Sequence, residues 1–136
     1  AAADQYRTAI ATDPDNAELH NGLGIVQARR GAVGEAIREF EAAVRAKPGF
    51  AAARRNLGLA YDRAGRLDDA LEQFTTLVRL EPGSATAHYC LGAVLMKKNR
   101  PDLAVEPFEA AVRLEPANEA ARRGLADARA ALAGRR

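Results

Sequence analysis

The sequence predicts an all-α fold built from stacked helix pairs, and three observations lead to this prediction. Prolines recur at a fixed step of 34 residues, at Pro14, Pro48, Pro82 and Pro116. Leu-Gly pairs recur at the same step. Aromatic residues make up only 5% of the chain, whereas alanine helps to raise the hydrophobic content to 48%. Self-similarity at this period means that one supersecondary unit recurs and stacks on its neighbours.

Small and large apolar residues fall into separate columns at the 34-residue step. The leucine column holds Leu23, Leu57, Leu91 and Leu125, and the first three are each followed by glycine. The aromatic column holds Tyr6, Phe40, Phe74 and Phe108. An alanine column holds Ala2, Ala36, Ala70 and Ala104. Small residues let helix backbones approach closely and large residues fill the space between helices. One pair cannot bury its apolar face alone, so neighbouring pairs must stack.

Turn residues divide the chain into eight predicted helices. These are expected at about 1–12, 17–30, 33–46, 51–64, 67–80, 85–98, 101–114 and 119–132. The first should be anchored by Ala2, Tyr6 and Ala9. In the last, Leu125 and Leu132 should face inward.

Capping residues set the ends of these helices. Asn16, Ser84 and Asn118 can each accept a hydrogen bond from the first turn that follows, whereas Phe50 in the same column cannot. Left-handed residues should close the first helices, at Gly31, Gly65 and Asn99. Pro101 suits a first helical position. Pro107 falls inside a helix, where it should kink or loosen a turn at about 3 kcal/mol unless packing compensates.

The segment 51–84 carries Leu57-Gly58, Tyr61, Ala70, Phe74 and Pro82 in order. This pattern resembles the tetratricopeptide repeat (TPR), which shows WxxLGxxY, then AxxxF, then Pro. The segments 17–50 and 85–118 keep the Leu-Gly, Ala-x-x-x-Phe and Pro positions. The family's Trp is replaced throughout, by His20, Arg54 and His88.

The resemblance implies an α-solenoid of antiparallel helix pairs, the TPR superhelix. It predicts one TPR domain over residues 1–136. Its parts are a half-repeat 1–16, full repeats 17–50, 51–84 and 85–118, and a capping helix 119–132. The chain begins with a second helix that has no first helix, so we expect a fragment of a longer protein.

Charge and cysteine content exclude several classes of function. The net charge of +2 is too small to predict binding to nucleic acid or an anionic membrane. No run of apolar residues is long enough to span a bilayer. Cys90 is the single cysteine, so an internal disulfide is excluded and nothing indicates an oxidising compartment. The compartment stays open, with the cytoplasm favoured.

No group of residues forms a catalytic or metal-binding motif. Gly22-x-Gly24 lacks the third glycine and the preceding strand of a dinucleotide loop, so helix packing is the better interpretation. His20 and His88 are too far apart in sequence to suggest a metal site. Asp68 and Asp69 lie in a first helical turn, where they favour the helix dipole. Ser84, Thr75, Thr76 and Cys90 have no recognisable base. We therefore predict no enzyme activity and no cofactor.

The resemblance implies that the first helices of the repeats line a concave face that binds partners. On that face, guanidinium groups and apolar side chains are mixed. The predicted peptide-binding groove consists of Asn21, Arg29, Arg55, Asn56, Leu59, Arg63, Tyr89, Met96, Lys97 and Arg123. Arginine suits carboxylates, while tyrosine and methionine offer adaptable contact area. The expected partner is a protein or peptide with acidic and apolar side chains.

One TPR subclass grips a terminal carboxylate with a Lys/Asn/Arg clamp. Asn56 matches one clamp position, but Ile25, Thr86 and Cys90 stand at others, which argues against that mode.

The leading interpretation is a non-catalytic protein interaction scaffold that binds a peptide segment in its groove. Two alternatives stay open. One is a structural spacer or self-assembly segment, either monomeric or weakly associated end to end. The other is a regulatory or targeting module of a larger enzyme.

Overall fold

The computed structural model describes residues 1–135, in which the secondary structure is entirely α-helical. The eight helices of this part of the chain are α1 (Ala2–Thr12), α2 (Ala17–Arg29), α3 (Val33–Ala46), α4 (Ala51–Arg63), α5 (Leu67–Leu80), α6 (Ala85–Lys97), α7 (Pro101–Leu114) and α8 (Glu119–Ala133). Each lies within two residues of its predicted bounds.

The chain forms two compact units, one of Ala1–Gln73 and one that begins at Phe74 within α5. In the first unit, α2 packs against both α1 and α3, α3 packs against α4, and α2 also touches α4. In the second unit, α7 packs against α6 and α8, and α6 touches α8. These contacts between successive helices, together with the α2–α4 and α6–α8 contacts, identify an all-α solenoid of helix pairs. The division into one TPR domain stays a prediction.

Side-chain caps begin three of the helices as predicted. Asn16 accepts a hydrogen bond from the Leu19 amide at 3.0 Å, and Ser84 and Asn118 do the same for their own helices. Phe50, at the start of α4, makes no capping hydrogen bond. Its ring instead packs against a buried alanine cluster and lies 5.1 Å from the Lys47 ammonium.

Left-handed residues close three helices in phase. Gly31, Gly65 and Asn99 have φ angles of 79°, 77° and 58°. After each, the next amide donates back across the turn, as from Ala32 to the Gln27 carbonyl at 2.9 Å. This Schellman-type closure satisfies carbonyl groups that the helix end leaves unpaired.

Aromatic rings pack directly on glycine in both units. A Cβ added to Gly24 would lie 2.5 Å from the Phe40 ring, and one added to Gly92 would lie 2.8 Å from the Phe108 ring. Both rings are buried. The Leu-Gly column therefore exists because only a helix without a side chain at this position can approach so closely.

The anchoring of α1 differs from the prediction. Ala3 is buried, Tyr6 and Ala9 are half-buried, and Ala2 is exposed. In the same column, Ala36 is fully buried in α3, which follows a partner helix. No helix precedes α1 in the described chain, so Ala2 has no helix to pack against.

Helix α7 continues through Pro107, which is buried. The carbonyl that loses its helical donor belongs to Leu103, which is exposed and can bind water. In α8, Leu125 is buried and Leu132 is half-buried, while Arg122, Arg123 and Arg129 are exposed.

We predict opposite effects of alanine at two glycines. Gly24→Ala should lower the free energy of unfolding by about 1–3 kcal/mol, because the new methyl group collides with the buried Phe40 ring. Gly34→Ala should raise it by up to about 1 kcal/mol, because Gly34 lies in α3 with no atom within 4 Å of an added Cβ. Urea unfolding of both variants measures the difference. Equal stabilities would contradict the packing of the ring on glycine.

Candidate functional site

The predicted groove residues divide between the two units. Six lie in the first unit, on α2 and α4: Asn21, Arg29, Arg55, Asn56, Leu59 and Arg63. Four lie in the second, on α6 and α8: Tyr89, Met96, Lys97 and Arg123. Each set is described within its own unit.

A cavity of about 390 Å³ opens between α2 and α4 in the first unit. It is lined by Ile25, Ala28, Arg29, Phe40, Asn56, Leu59, Ala60, Asp62 and Arg63. Most of this lining is apolar, and four predicted groove residues belong to it. Its size falls within the range of roughly 300–1,000 Å³ that is typical of ligand pockets.

Charged groups lie at the end of the cavity where α2 and α4 finish. Arg29 and Arg63 occupy the last turns of the two helices, and Asp62 lies beside them. Arg63 donates a hydrogen bond to the Ala28 carbonyl at 3.3 Å, which holds its guanidinium at the rim. Two guanidinium groups and one carboxylate leave this end positive. It can receive an anion through forked N–H donors.

An amide pair links α2 and α4. The Asn56 side chain donates to the Asn21 side-chain oxygen at 3.0 Å, and both residues are half-buried. The pair fixes the orientation of the Asn56 amide beside the cavity.

Three positions of the predicted face lie outside the cavity lining. Arg55 is exposed and lies outside the cavity lining. Gly22 and Gly124, which share the column of Asn56 at the 34-residue step, are covered by the rings of Tyr6 and Phe108. Aromatic residues of the second helices reach further than the column pattern predicts. Phe40 accordingly lines the cavity, although it was assigned to packing.

In the second unit, the candidate residues belong to different surroundings. The Tyr89 ring lies 5.9 Å from the Phe108 ring in a tilted contact. Met96 is half-buried and Lys97 is exposed. Arg123 lines a shallow depression on α8 with Arg122 and Glu119.

The residues that replace the family's Trp share a contact that sequence reasoning missed. His20, Arg54 and His88 each bond, through a side-chain nitrogen, to the carbonyl of the in-phase proline six residues earlier, at 2.6, 2.8 and 2.8 Å. The equal spacing from His20 to Pro14, Arg54 to Pro48 and His88 to Pro82 was the available signal. These side chains therefore tie each first helix to the turn that precedes it.

His20 has a second partner on α3, the Glu39 carboxylate at 2.7 Å from Nδ1. Burial opposes the charged imidazolium. The hydrogen bonds to Glu39 and to the Pro14 carbonyl outweigh burial and the repulsion from Arg45, so the pKa of His20 lies above its ordinary value of 6.5.

The other chemical candidates take structural positions. Gly22 and Gly24 lie inside α2 and receive aromatic rings. Asp69, in the first turn of α5, pairs with Arg66 at 2.8 Å. Within residues 1–135, no three metal-ligating side chains lie close enough together to hold an ion. None of the helices described is both long and apolar enough to cross a membrane.

The fold is that of a helical-repeat protein, and an apolar cavity with charged groups at one end lies between α2 and α4. A tetratricopeptide repeat model matches residues 1–51, 34–85, 55–119 and 91–135. The chain therefore belongs to the tetratricopeptide repeat family, as the Leu-Gly, aromatic and proline columns predicted. Such repeats are in general non-catalytic interaction modules. No curated protein sequence matches the chain.

Several solved structures share the fold. MamA is 25% identical with a TM-score of 0.88, over 93% of this chain and 74% of that one. YrrB, described as a TPR protein with an unusual peptide-binding site, is 22% identical with a TM-score of 0.81, over 91% and 64%. The first TPR of Spaghetti (RPAP3), bound to an HSP90 peptide, is 24% identical with a TM-score of 0.83, over 87% and 94%.

The His20–Glu39 contact predicts a pH-dependent stability. Because the folded pKa is raised, the stabilisation is fully present below the unfolded pKa of 6.5 and is lost as pH rises through the higher folded pKa. The loss of unfolding free energy in His20→Gln should therefore be larger at about pH 5.5 than at about pH 8.5. Denaturant unfolding at both pH values measures it.

His88→Gln is the matched control. His88 keeps the prolyl carbonyl bond, but Pro107 stands where Glu39 stands relative to His20. The loss of unfolding free energy in His88→Gln should therefore vary less with pH than the loss in His20→Gln. The same pH dependence in both variants would refute the role of Glu39.

Proposed function

We propose that this chain is a non-catalytic interaction scaffold that binds a segment of a partner protein against α2 and α4. The observation that carries the proposal is the cavity between these helices, which is apolar along its walls and positive at one end. A pocket with mostly apolar walls and a few convergent polar groups is the usual form of a binding site.

The chemistry of the lining indicates the kind of partner. Leu59 is 42% exposed and lines the cavity, so its side chain is available to an apolar group of a partner. Arg29 and Arg63 offer donors that match a carboxylate. We therefore propose a peptide with acidic and apolar side chains. Tyr89, Met96, Lys97 and Arg123 form a further proposed contact surface in the second unit.

Two of the similar structures are described with a peptide site or a bound peptide, which supports a peptide as the class of ligand proposed for this chain. YrrB is described by its peptide-binding site, and the Spaghetti repeat domain is bound to an HSP90 peptide. Their identity to this chain is low, so the proposal depends on the cavity itself. Proteins with this fold serve many tasks, and the site rather than the fold selects among them.

Self-association is the second candidate, since one observation favours it. A shallow cavity of about 460 Å³ lies on α1, lined by Ala1, Asp4, Gln5, Thr8, Ala9 and Thr12. In α3, the equivalent of Gln5 is Glu39, which contacts His20 of the partner helix α2. The face of α1 that carries Gln5 therefore corresponds to the face of α3 that α2 covers. Sedimentation at several concentrations tests this candidate, and a monomer throughout would refute it.

We predict that Leu59→Ser weakens peptide binding by about tenfold, which corresponds to about 1.4 kcal/mol, because the cavity loses an apolar wall. Peptides selected from a displayed random library provide the probe, and fluorescence polarisation gives the affinity. Leu114→Ser is the matched control, because Leu114 is similarly exposed, at 43%, but lies at the end of α7.

The control variant should bind like the unmodified protein. Selection of no peptide, or equal affinity of both variants and the parent, would overturn the proposed site.

A further inference from the structure

One column of the repeat carries a side chain beside the cavity but glycine at two equivalent positions. Gly22, Asn56 and Gly124 are in phase at multiples of 34 residues, on α2, α4 and α8, and Cys90 holds the fourth position of this column, on α6. Each first helix at these positions faces the aromatic residue of the preceding second helix, which is Tyr6, Phe40 or Phe108 in the same order. Besides Cys90, the column thus compares two glycines with one asparagine.

At the two glycines, the ring lies directly against the helix. A Cβ added to Gly22 would lie 2.3 Å from the Tyr6 ring, and one added to Gly124 would lie 2.5 Å from the Phe108 ring. Real Cβ atoms do not approach rings so closely. A side chain at either position would have to push the ring away.

Asn56 brings such a side chain to α4. A Phe40 ring placed as the Tyr6 and Phe108 rings are placed would collide with the Asn56 Cβ, whereas the contact of Phe40 with Gly24 is kept. Both Phe40 and Asn56 line the resulting cavity, one on each side. The hydrogen bond to Asn21 fixes the orientation of the Asn56 amide beside this gap.

We propose that Asn56 is the specificity-determining residue of the site, because it holds the Phe40 ring off α4 and so opens room for one bulky apolar side chain of the partner. This inference rests on the proposed function. The occupant is a peptide segment that carries a large aliphatic or aromatic residue, with a carboxylate nearby in sequence.

The contacts on the page support this occupant. Ile25, Leu59 and Phe40 offer the apolar side chain walls without a polar group to satisfy. At the rim, Arg63 uses one N–H for the Ala28 carbonyl and keeps others for a carboxylate. A basic residue of the partner would meet two guanidinium groups there and be repelled.

The test compares Asn56→Gly with Asn56→Ala. Glycine removes the Cβ and should let the Phe40 ring settle against α4, whereas alanine keeps the Cβ and the gap. Glycine occurs naturally in this column at Gly22 and Gly124, which indicates that the fold accepts it. Circular dichroism checks that both variants are folded.

Two readouts are used on both variants. The first is affinity for apolar–acidic peptides selected from the displayed library on the unmodified protein. Asn56→Gly should lose at least tenfold, and Asn56→Ala, which keeps the Cβ, should lose at least threefold less than Asn56→Gly. The second is the nuclear Overhauser effect between the Phe40 ring protons and the α-protons of residue 56, which should strengthen in Asn56→Gly alone.

The outcomes separate this inference from the function on which it rests. If peptides are selected but Asn56→Gly binds them normally, or if both variants lose affinity equally, the spacing role of Asn56 is wrong and the scaffold proposal stands. If the unmodified protein selects no apolar–acidic peptide, both proposals fail. An unchanged ring-to-backbone Overhauser effect in Asn56→Gly also overturns the spacing role.

Discussion

The close approach of an aromatic ring to a helix backbone is the constraint on which the rest of the structure depends. Phe108 shows it most fully, because its ring meets Gly92 of its own helix pair and Gly124 of the next helix. One buried side chain thus joins three consecutive first and second helices. Removal of a buried Phe side chain typically costs about 3–5 kcal/mol, so each such ring stabilises both the pair and the stack. A repeat that cannot fold alone gains its stability from these shared rings.

The same constraint explains how a binding site can arise without any new element. A glycine in the ring-facing column closes the space between neighbouring first helices, and a larger residue holds the ring away. Asn56 makes that change at one position, while Phe40 keeps its seat on Gly24. The cavity therefore costs one of the two ring contacts and leaves the other. The residue type in this column, rather than the fold, decides where a partner can bind.

Local chemistry made most of the fold predictable from the sequence. The caps at Asn16 and Ser84 and the left-handed ends at Gly31 and Asn99 follow from single residue types in phase. The cavity was only partly predictable, because column positions give the face of a helix but not the reach of a ring from the neighbouring helix. Ala2 was misplaced for a related reason: its column is buried only where a partner helix precedes it.

The two ends of the repeat pattern also bear on whether copies of this chain stack. At the 34-residue step, α8 is a first helix like α2, and α1 is a second helix like α3. A second copy stacked end to end would therefore place its α1 against α8, as α3 lies against α2. In α8, however, Ala126 stands at the position that Gly24 holds in α2 and Gly92 holds in α6. At both glycines, the ring of the following second helix packs against the backbone. Since a Cβ at Gly24 would lie 2.5 Å from the Phe40 ring, Ala126 would meet the Tyr6 ring of another copy in the same way. Arg129 already donates to Glu109 at 3.1 Å. The outer face of α8 therefore differs from the faces of α2 and α6 that receive a ring, which argues against stacking of α8 on α1 of another copy.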